Sequence, residues 1–112
     1  MFGLFGGFKT IKKIAVEIGV DHRIFGTALT ERKVNYGFVK AQKNILTKTH
    51  GEHDTYRFLA ITLIPTAIEG LDILQQKFGY QEKIIIAQEA LVKFFDSNQD
   101  VLEKFHDENN AN

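Results

Sequence analysis

The sequence predicts an all-α protein, a small antiparallel bundle of four to five helices folded as a single domain over residues 1–112. Apolar residues recur at intervals of three and four through most of the chain, which is the spacing of helices with one buried face. Glycines and capping residues separate these periodic segments by only a few residues, and short connections favour antiparallel neighbours. The apolar content of 44% is that of an ordinary folded domain.

The first eight residues, MFGLFGGF, form an apolar segment rich in glycine and phenylalanine. Glycine costs a helix about 1 kcal/mol relative to alanine, so Gly3, Gly6 and Gly7 predict that no stable helix forms there. The helical period begins after this segment and ends at Gly19, a C-terminal capping residue. The first helix is therefore predicted over residues 9–18.

The second helix is predicted to begin at Thr30, a favourable N-cap, and to end at Gly51. Before it, either Asp21 or Thr27 opens no more than a short turn, because Gly26 limits the helical pattern. The predicted buried face of this second helix has heptad-like spacing and consists of Val34, Phe38, Ala41 and Ile45.

The longest apolar stripe runs through residues 56–78, so the bundle is predicted to be organised around this stretch. Its first half is apolar on more than one side, which indicates a helix surrounded by other helices. Asp54 is the predicted N-cap of this central helix, and Gly79 is its predicted end.

Pro65, the only proline in the chain, lies inside the central stretch. Proline removes an intrahelical hydrogen bond and crowds the preceding turn, so we expect one long helix kinked at Pro65. Two helices that meet at Pro65 are the alternative. A membrane span is not expected, because Arg57, Glu69 and Asp72 interrupt the apolar stretch.

A fourth helix is predicted over residues 82–95. The three isoleucines at 84–86 favour a strand, but the helical period continues beyond the usual length of a strand. Ser97, with Asp100 three residues later, resembles a capping box and opens a short last helix. Residues 107–112, DENNAN, are predicted to form a disordered polar tail.

The formal net charge of zero conceals a division between the two halves of the chain. Residues 1–50 carry nine lysines and arginines against three acidic side chains, and residues 51–112 carry five against eleven. The halves therefore have net charges of +6 and −6. This division predicts either a basic surface for an acidic partner, membrane or nucleic acid, or two halves that neutralise each other.

The second helix also carries a basic, aromatic-containing ridge opposite its predicted buried face. Such a ridge suits a phosphate backbone, because each neutralised phosphate releases counterions. The sequence pI of about 6.9 is below that expected of a nucleic-acid-binding domain, so nucleic-acid binding stays an alternative. The ridge consists of Lys33, Tyr36, Lys40, Lys43 and Thr47.

The N-terminal sequence FGLFGGFKTIKKIAVEIG resembles short cationic amphipathic membrane-active peptides in composition. That resemblance implies that apolar side chains enter the headgroup region of a membrane while lysines meet anionic lipid. The apolar residues are Phe2, Leu4, Phe5 and Phe8, and the lysines are Lys9, Lys12 and Lys13. The same apolar side chains could instead pack inside the protein or between two copies of it. Membrane-surface binding is therefore a second alternative function.

Few side chains in this sequence suggest catalysis or metal binding. His50 and His53 are weak metal candidates, since no third ligand is specified and Gly51 places them at a junction between helices. No nucleophile elbow, phosphate loop or dinucleotide fingerprint is present. Glu69 and Asp72 are the best acid–base candidates, although a solvated helix edge explains them equally well. We therefore expect neither an enzyme nor a cofactor.

The favoured interpretation is a small cytoplasmic protein that acts through protein–protein interaction, as a regulator or adaptor, and that forms a homodimer if its partner is itself. The cytoplasmic assignment depends on the lack of a recognisable signal peptide or membrane span. An exposed apolar patch with a basic rim is typical of partner surfaces. The predicted partner-binding residues are Phe2, Leu4, Phe5, Lys12, Lys33, Tyr36, Lys40 and Lys43.

Overall fold

The computed structural model describes the backbone of residues 2–110 and the side chains of residues 7–52 and 54–104. Within that range the chain forms six helices, which confirms the all-α class. The count exceeds the predicted four to five because residues 22–31 form a complete helix rather than a turn. The helices are α1 (Phe2–Ile18), α2 (His22–Glu31), α3 (Tyr36–His50), α4 (Glu52–Phe78), α5 (Glu82–Ser97) and α6 (Gln99–Asn110).

The molecule measures 45 × 35 × 20 Å, and its shortest dimension equals about two helix diameters. α4 is the central helix, as predicted, and packs against each of the other five. Since the bundle is only two helices thick, each helix keeps a face toward solvent. The largest fully buried side chains of the main core are Ile11, Ile14, Phe25, Leu29, Ile64, Leu71 and Leu91.

α1 begins at Phe2, seven residues earlier than predicted, because packing overrides the low helix propensity of the glycines. A Cβ atom added to Gly7 would lie 2.6 Å from the carbonyl oxygen of Tyr36 on α3. The glycine is therefore what allows the two backbones to approach. Gly19, with φ +86°, ends the helix as predicted.

α2 forms because its first turn has a strong cap. The Asp21 carboxylate accepts hydrogen bonds from the backbone N–H groups of Arg23 (2.8 Å) and Ile24 (3.3 Å). The prediction that Gly26 interrupts the helical pattern was wrong. Gly26 is buried within α2. Thr30, the predicted N-cap of the second helix, lies in the last turns of α2 instead.

The N-cap of α3 is Asn35, whose side-chain oxygen accepts hydrogen bonds from the N–H groups of Gly37 (2.7 Å) and Phe38 (3.3 Å). α3 therefore begins five residues or more after the predicted start. It ends at Gly51, as predicted, with Lys48 and His50 in its last turn.

α4 runs without interruption from Glu52 to Phe78, so the alternative of two helices meeting at Pro65 is wrong. The kink at that residue stays a prediction. Asp54 lies inside the first turn rather than at the N-cap, which is Gly51, and Gly79 ends the helix as predicted.

By length and composition alone, residues Asp54–Phe78 could cross a membrane, with a mean hydropathy of 1.4 over their most apolar 18-residue window. The charged residues in this stretch were expected to exclude a membrane span, but by length and composition they do not. Half of that window is buried inside the protein, which is equally what the core helix of a globular bundle shows.

α4 approaches its neighbours closely at two points. At Gly70, an added Cβ atom would overlap the backbone carbonyl of Ala28 on α2. Near its start, the buried Thr55 donates a hydrogen bond to the carbonyl oxygen of Gly51 (2.7 Å), and its hydroxyl oxygen lies 3.3 Å from that of Thr47 on α3. These contacts fix α2 and α3 on opposite ends of α4.

α5 begins at Glu82, as predicted, and its helical conformation over 84–86 confirms the choice of helix over strand. Ser97 is the last residue of α5 rather than a cap, and Asn98 alone connects it to α6. The predicted polar tail, 107–112, overlaps the end of α6, which extends to Asn110. The side chains of the tail lie outside the described residues.

Candidate functional site

α1 and α3 lie side by side against α4 and form the most basic part of the molecule. Between them they carry six lysines and a single glutamate, a net charge of +5. We call these six lysines the basic layer. They are Lys9, Lys12 and Lys13 on α1, and Lys40, Lys43 and Lys48 on α3.

The basic layer is not neutralised by direct ion pairs, since none of its lysines forms one within the described part of the chain. The ion pairs there involve other cations: Arg32 with Glu69 (3.0 Å), Lys77 with Glu31 (2.9 Å) and Arg57 with Asp100 (3.9 Å). Arg32–Glu69 is the pair that joins a cation of the basic half to an acid of the acidic half.

The outer face of α3 carries apolar side chains that were predicted to be buried. Phe38 and Ile45 have exposed fractions of 62% and 55%, and Ala41 between them is also exposed. We call these three residues the α3 stripe. Their spacing of three and four residues is that of a helix-packing face, yet among the described residues no helix covers it.

The prediction that Phe38, Ala41 and Ile45 face the core was wrong, because a different set of residues anchors α3. Val39 is buried, and Tyr36 and Leu46 pack against the core beside it. The Tyr36 hydroxyl donates a hydrogen bond to the Gly26 carbonyl oxygen at 2.7 Å, which fixes the rotation of α3. A periodic pattern identifies an apolar face, but not whether that face meets this protein or another one.

The predicted basic ridge is not a continuous exposed surface. Tyr36 is half-buried and hydrogen-bonded to α2, and Lys40 and Lys43 are also half-buried. Thr47 donates to the Lys43 carbonyl oxygen (2.7 Å). Lys33 is exposed but lies in the turn before α3, with φ +59°.

The predicted N-terminal contact residues Phe2, Leu4 and Phe5 lie on the helical backbone of α1, and their side chains are outside the described residues. Lys12 is exposed, and its ammonium group lies 5.7 Å from the centre of the Phe8 ring. The structure therefore places Lys12 beside a partly exposed aromatic residue.

The candidate metal and acid–base residues are dispersed or paired. His50 packs its ring against Phe58, with 5.1 Å between ring centres, and the His53 side chain is outside the described residues. No group of three potential metal-ligating side chains occurs among those described. Glu69 pairs with Arg32, and Asp72 accepts a hydrogen bond from Gln88 (3.0 Å).

No model of a known protein family, no curated protein and no solved structure matches this chain. Geometry and charge are therefore the properties that indicate a function. The α3 stripe, next to Lys48 of the basic layer, is the surface that combines both.

Proposed function

We propose that this protein is a non-enzymatic, cytoplasmic regulator or adaptor, and that it binds a helix of a partner protein on the α3 stripe. The exposure of Phe38 and Ile45 at helix-packing spacing is the observation that supports this proposal. Exposed apolar faces of this kind, bordered by charged residues, are typical of protein-binding surfaces.

The charge around the stripe indicates the kind of helix that fits. Lys48, three residues after Ile45, is exposed on the same side of α3 as the stripe. A partner helix with apolar residues on one side and acidic residues beside them would cover the stripe and meet the Lys48 ammonium group. A second copy would bring like charges together if α3 paired with α3, so an acidic helix is favoured.

Site-specific photo-crosslinking in cells that make the full-length protein tests this proposal. A photoreactive phenylalanine analogue replaces Ile45 in one variant and Val16 in the control. Val16 is an apolar side chain on α1 with an exposed fraction of 79%. We expect a discrete protein adduct from position 45 that position 16 does not give.

Charge should modulate this adduct. Lys48→Glu, combined with the crosslinker at position 45, should reduce its yield because it opposes an acidic partner. A covalent dimer would identify the partner as a second copy. Equal protein adducts from positions 16 and 45, or lipid adducts alone, would rule out the α3 stripe as a protein-binding surface.

Binding to an anionic membrane surface is the second candidate function. It is supported by the extent of α1, which is helical from Phe2 and so joins the apolar N-terminal residues to Lys9, Lys12 and Lys13 on one helix. Sedimentation with anionic liposomes should then be lost when Phe2 and Phe5 are both replaced by serine, and should remain with neutral control substitutions on α5. Nucleic-acid binding has less support, because Tyr36 of the proposed ridge is held by α2.

A further inference from the structure

A groove lies where α2, the end of α4 and the start of α5 meet, outside the α3 stripe and the basic layer. Its volume is about 230 Å³. Typical pockets for drug-sized ligands have about 300–1,000 Å³, so this groove suits a smaller molecule or one that is partly exposed. Its apolar surface is formed by Ile24, Leu74, Phe78 and Ile84.

The apolar side chains of the groove differ in their exposure. Leu74 and Ile84 are buried and form its floor, and Ile24 is half-buried beside them. Phe78, in contrast, has an exposed fraction of 64% although it is a large aromatic residue at the end of the central helix. An apolar chain on this floor would remove the Phe78 ring from water.

Two cations, Arg23 from α2 and Lys83 from α5, also line the groove. Neither forms an ion pair with another side chain that the structure describes. Hydrogen bonds from the backbone N–H groups of Arg23 and then Ile24 lower the pKa of the nearby Asp21 carboxyl, and the positive charge of Lys83 also lowers it. The Asp21 carboxylate is therefore engaged by the backbone and forms no ion pair with Lys83. The groove therefore has an apolar floor and two available positive charges.

We propose that this groove binds a small anionic amphiphile, with its carboxylate-type headgroup between Arg23 and Lys83 and a short apolar chain over Leu74 and Ile84. The charge complementarity selects an anion, and guanidinium and ammonium groups are suitable donors to a carboxylate. The limited volume selects a short chain. The site is separate from the α3 stripe, so it provides a second binding function rather than part of the first.

Titration of the protein with octanoate tests the proposal, with calorimetry and backbone amide NMR shifts as the two measurements of binding. We expect saturable binding, with the largest shifts in the first turns of α2 and α5. The neutral 1-octanol should bind about tenfold more weakly, since it has the chain but no charge. The cationic octyltrimethylammonium should not compete.

The variant Arg23→Gln/Lys83→Gln should lose about tenfold in affinity for octanoate, and Phe78→Ser should also bind more weakly. The matched control is Lys93→Gln/Lys104→Gln, which removes two exposed lysines elsewhere and should bind normally. Phe38→Ser/Ile45→Ser should also retain octanoate binding, which separates this site from the α3 stripe. Equal loss in both double-charge variants, tight binding of the ammonium compound, or no saturation with octanoate would overturn the proposal.

Discussion

At Gly70, the backbones of α2 and α4 approach so closely that a single methyl group would not fit. Glycine weakens an isolated helix, but here its missing side chain provides the space for a helix–helix contact. Gly7 has the same role between α1 and α3. At these positions the tertiary contact reverses what helix propensity alone predicts.

Gly70→Ala should therefore destabilise the protein. At an open helical position the same change would stabilise by about 0.5–1 kcal/mol, but here the added Cβ overlaps the Ala28 carbonyl, and overpacking costs about 1–3 kcal/mol. Urea denaturation followed by circular dichroism measures the difference. Gln76→Ala, at an exposed position of α4, is the control and should change the free energy of unfolding by less than about 0.5 kcal/mol. Unchanged or increased stability of Gly70→Ala would contradict the packing of α2 on α4.

Tyr36→Phe separates a structural role for this residue from a binding role. The hydroxyl donates to the Gly26 carbonyl oxygen at 2.7 Å and lies 3.2 Å from the Thr30 hydroxyl, so its removal should cost about 1 kcal/mol of unfolding free energy. Partner crosslinking from position 45 should be unchanged. If Tyr36→Phe weakened crosslinking without a loss of stability, the residue would contact the partner directly, as the sequence suggested.

α2 is the element whose stability should depend most clearly on acid. The backbone N–H groups of Arg23 and then Ile24 lower the pKa of the Asp21 carboxyl below its ordinary value of 3.8. Because the folded state has the lower pKa, the charged cap stabilises it fully above that ordinary value, and this contribution is lost as the pH falls through the lowered pKa.

Asp21→Asn tests this dependence, since asparagine caps a helix about as well as aspartate but does not titrate. The unfolding free energy of the variant should fall less than that of the wild type between pH 6 and pH 2.5. Asp21→Ala should cost about 1 kcal/mol at pH 6, because the cap is lost. Equal acid sensitivity of wild type and Asp21→Asn would show that Asp21 does not contribute.

The sequence was sufficient for elements whose signal is local, and insufficient where packing decides. The central position of α4, the start of α5 at Glu82 and the ends at Gly19, Gly51 and Gly79 follow from apolar period and capping glycines. α2 was missed because Gly26 was judged by propensity, whereas its value lies in the contact with Tyr36. Helical spacing in α3 correctly placed Phe38 and Ile45 on one apolar face, but it did not show that this face points to solvent.

The whole molecule is thin, and much of its positive charge lies on α1 and α3. At 20 Å, a two-layer bundle has little interior relative to its surface, so six lysines on α1 and α3 remain on or near the surface. Within the described part of the chain, the ion pairs Arg32–Glu69 and Lys77–Glu31 join the two halves, but only Arg32–Glu69 pairs a cation of the basic half with an acid of the acidic half. The net charge of zero therefore conceals a basic surface.

This division predicts retention on a cation exchanger at pH 7.5, although the sequence pI is about 6.9. Lys9→Gln/Lys48→Gln should elute at clearly lower salt than the wild type. Lys93→Gln/Lys104→Gln makes the same change in net charge outside the basic layer and should have a smaller effect. Equal shifts in the two variants would mean that retention follows net charge and not its position.

The position of Tyr80 makes it an intrinsic fluorescence probe of the groove. The chain has no tryptophan and three tyrosines, and Tyr80 lies between Phe78 and Gln81 of the groove with an exposed fraction of 85%. Tyr36 and Tyr56 are half-buried. Intrinsic tyrosine fluorescence, and its quenching by iodide, should therefore respond mainly to Tyr80, so occupancy of the groove can be followed in the unlabelled protein.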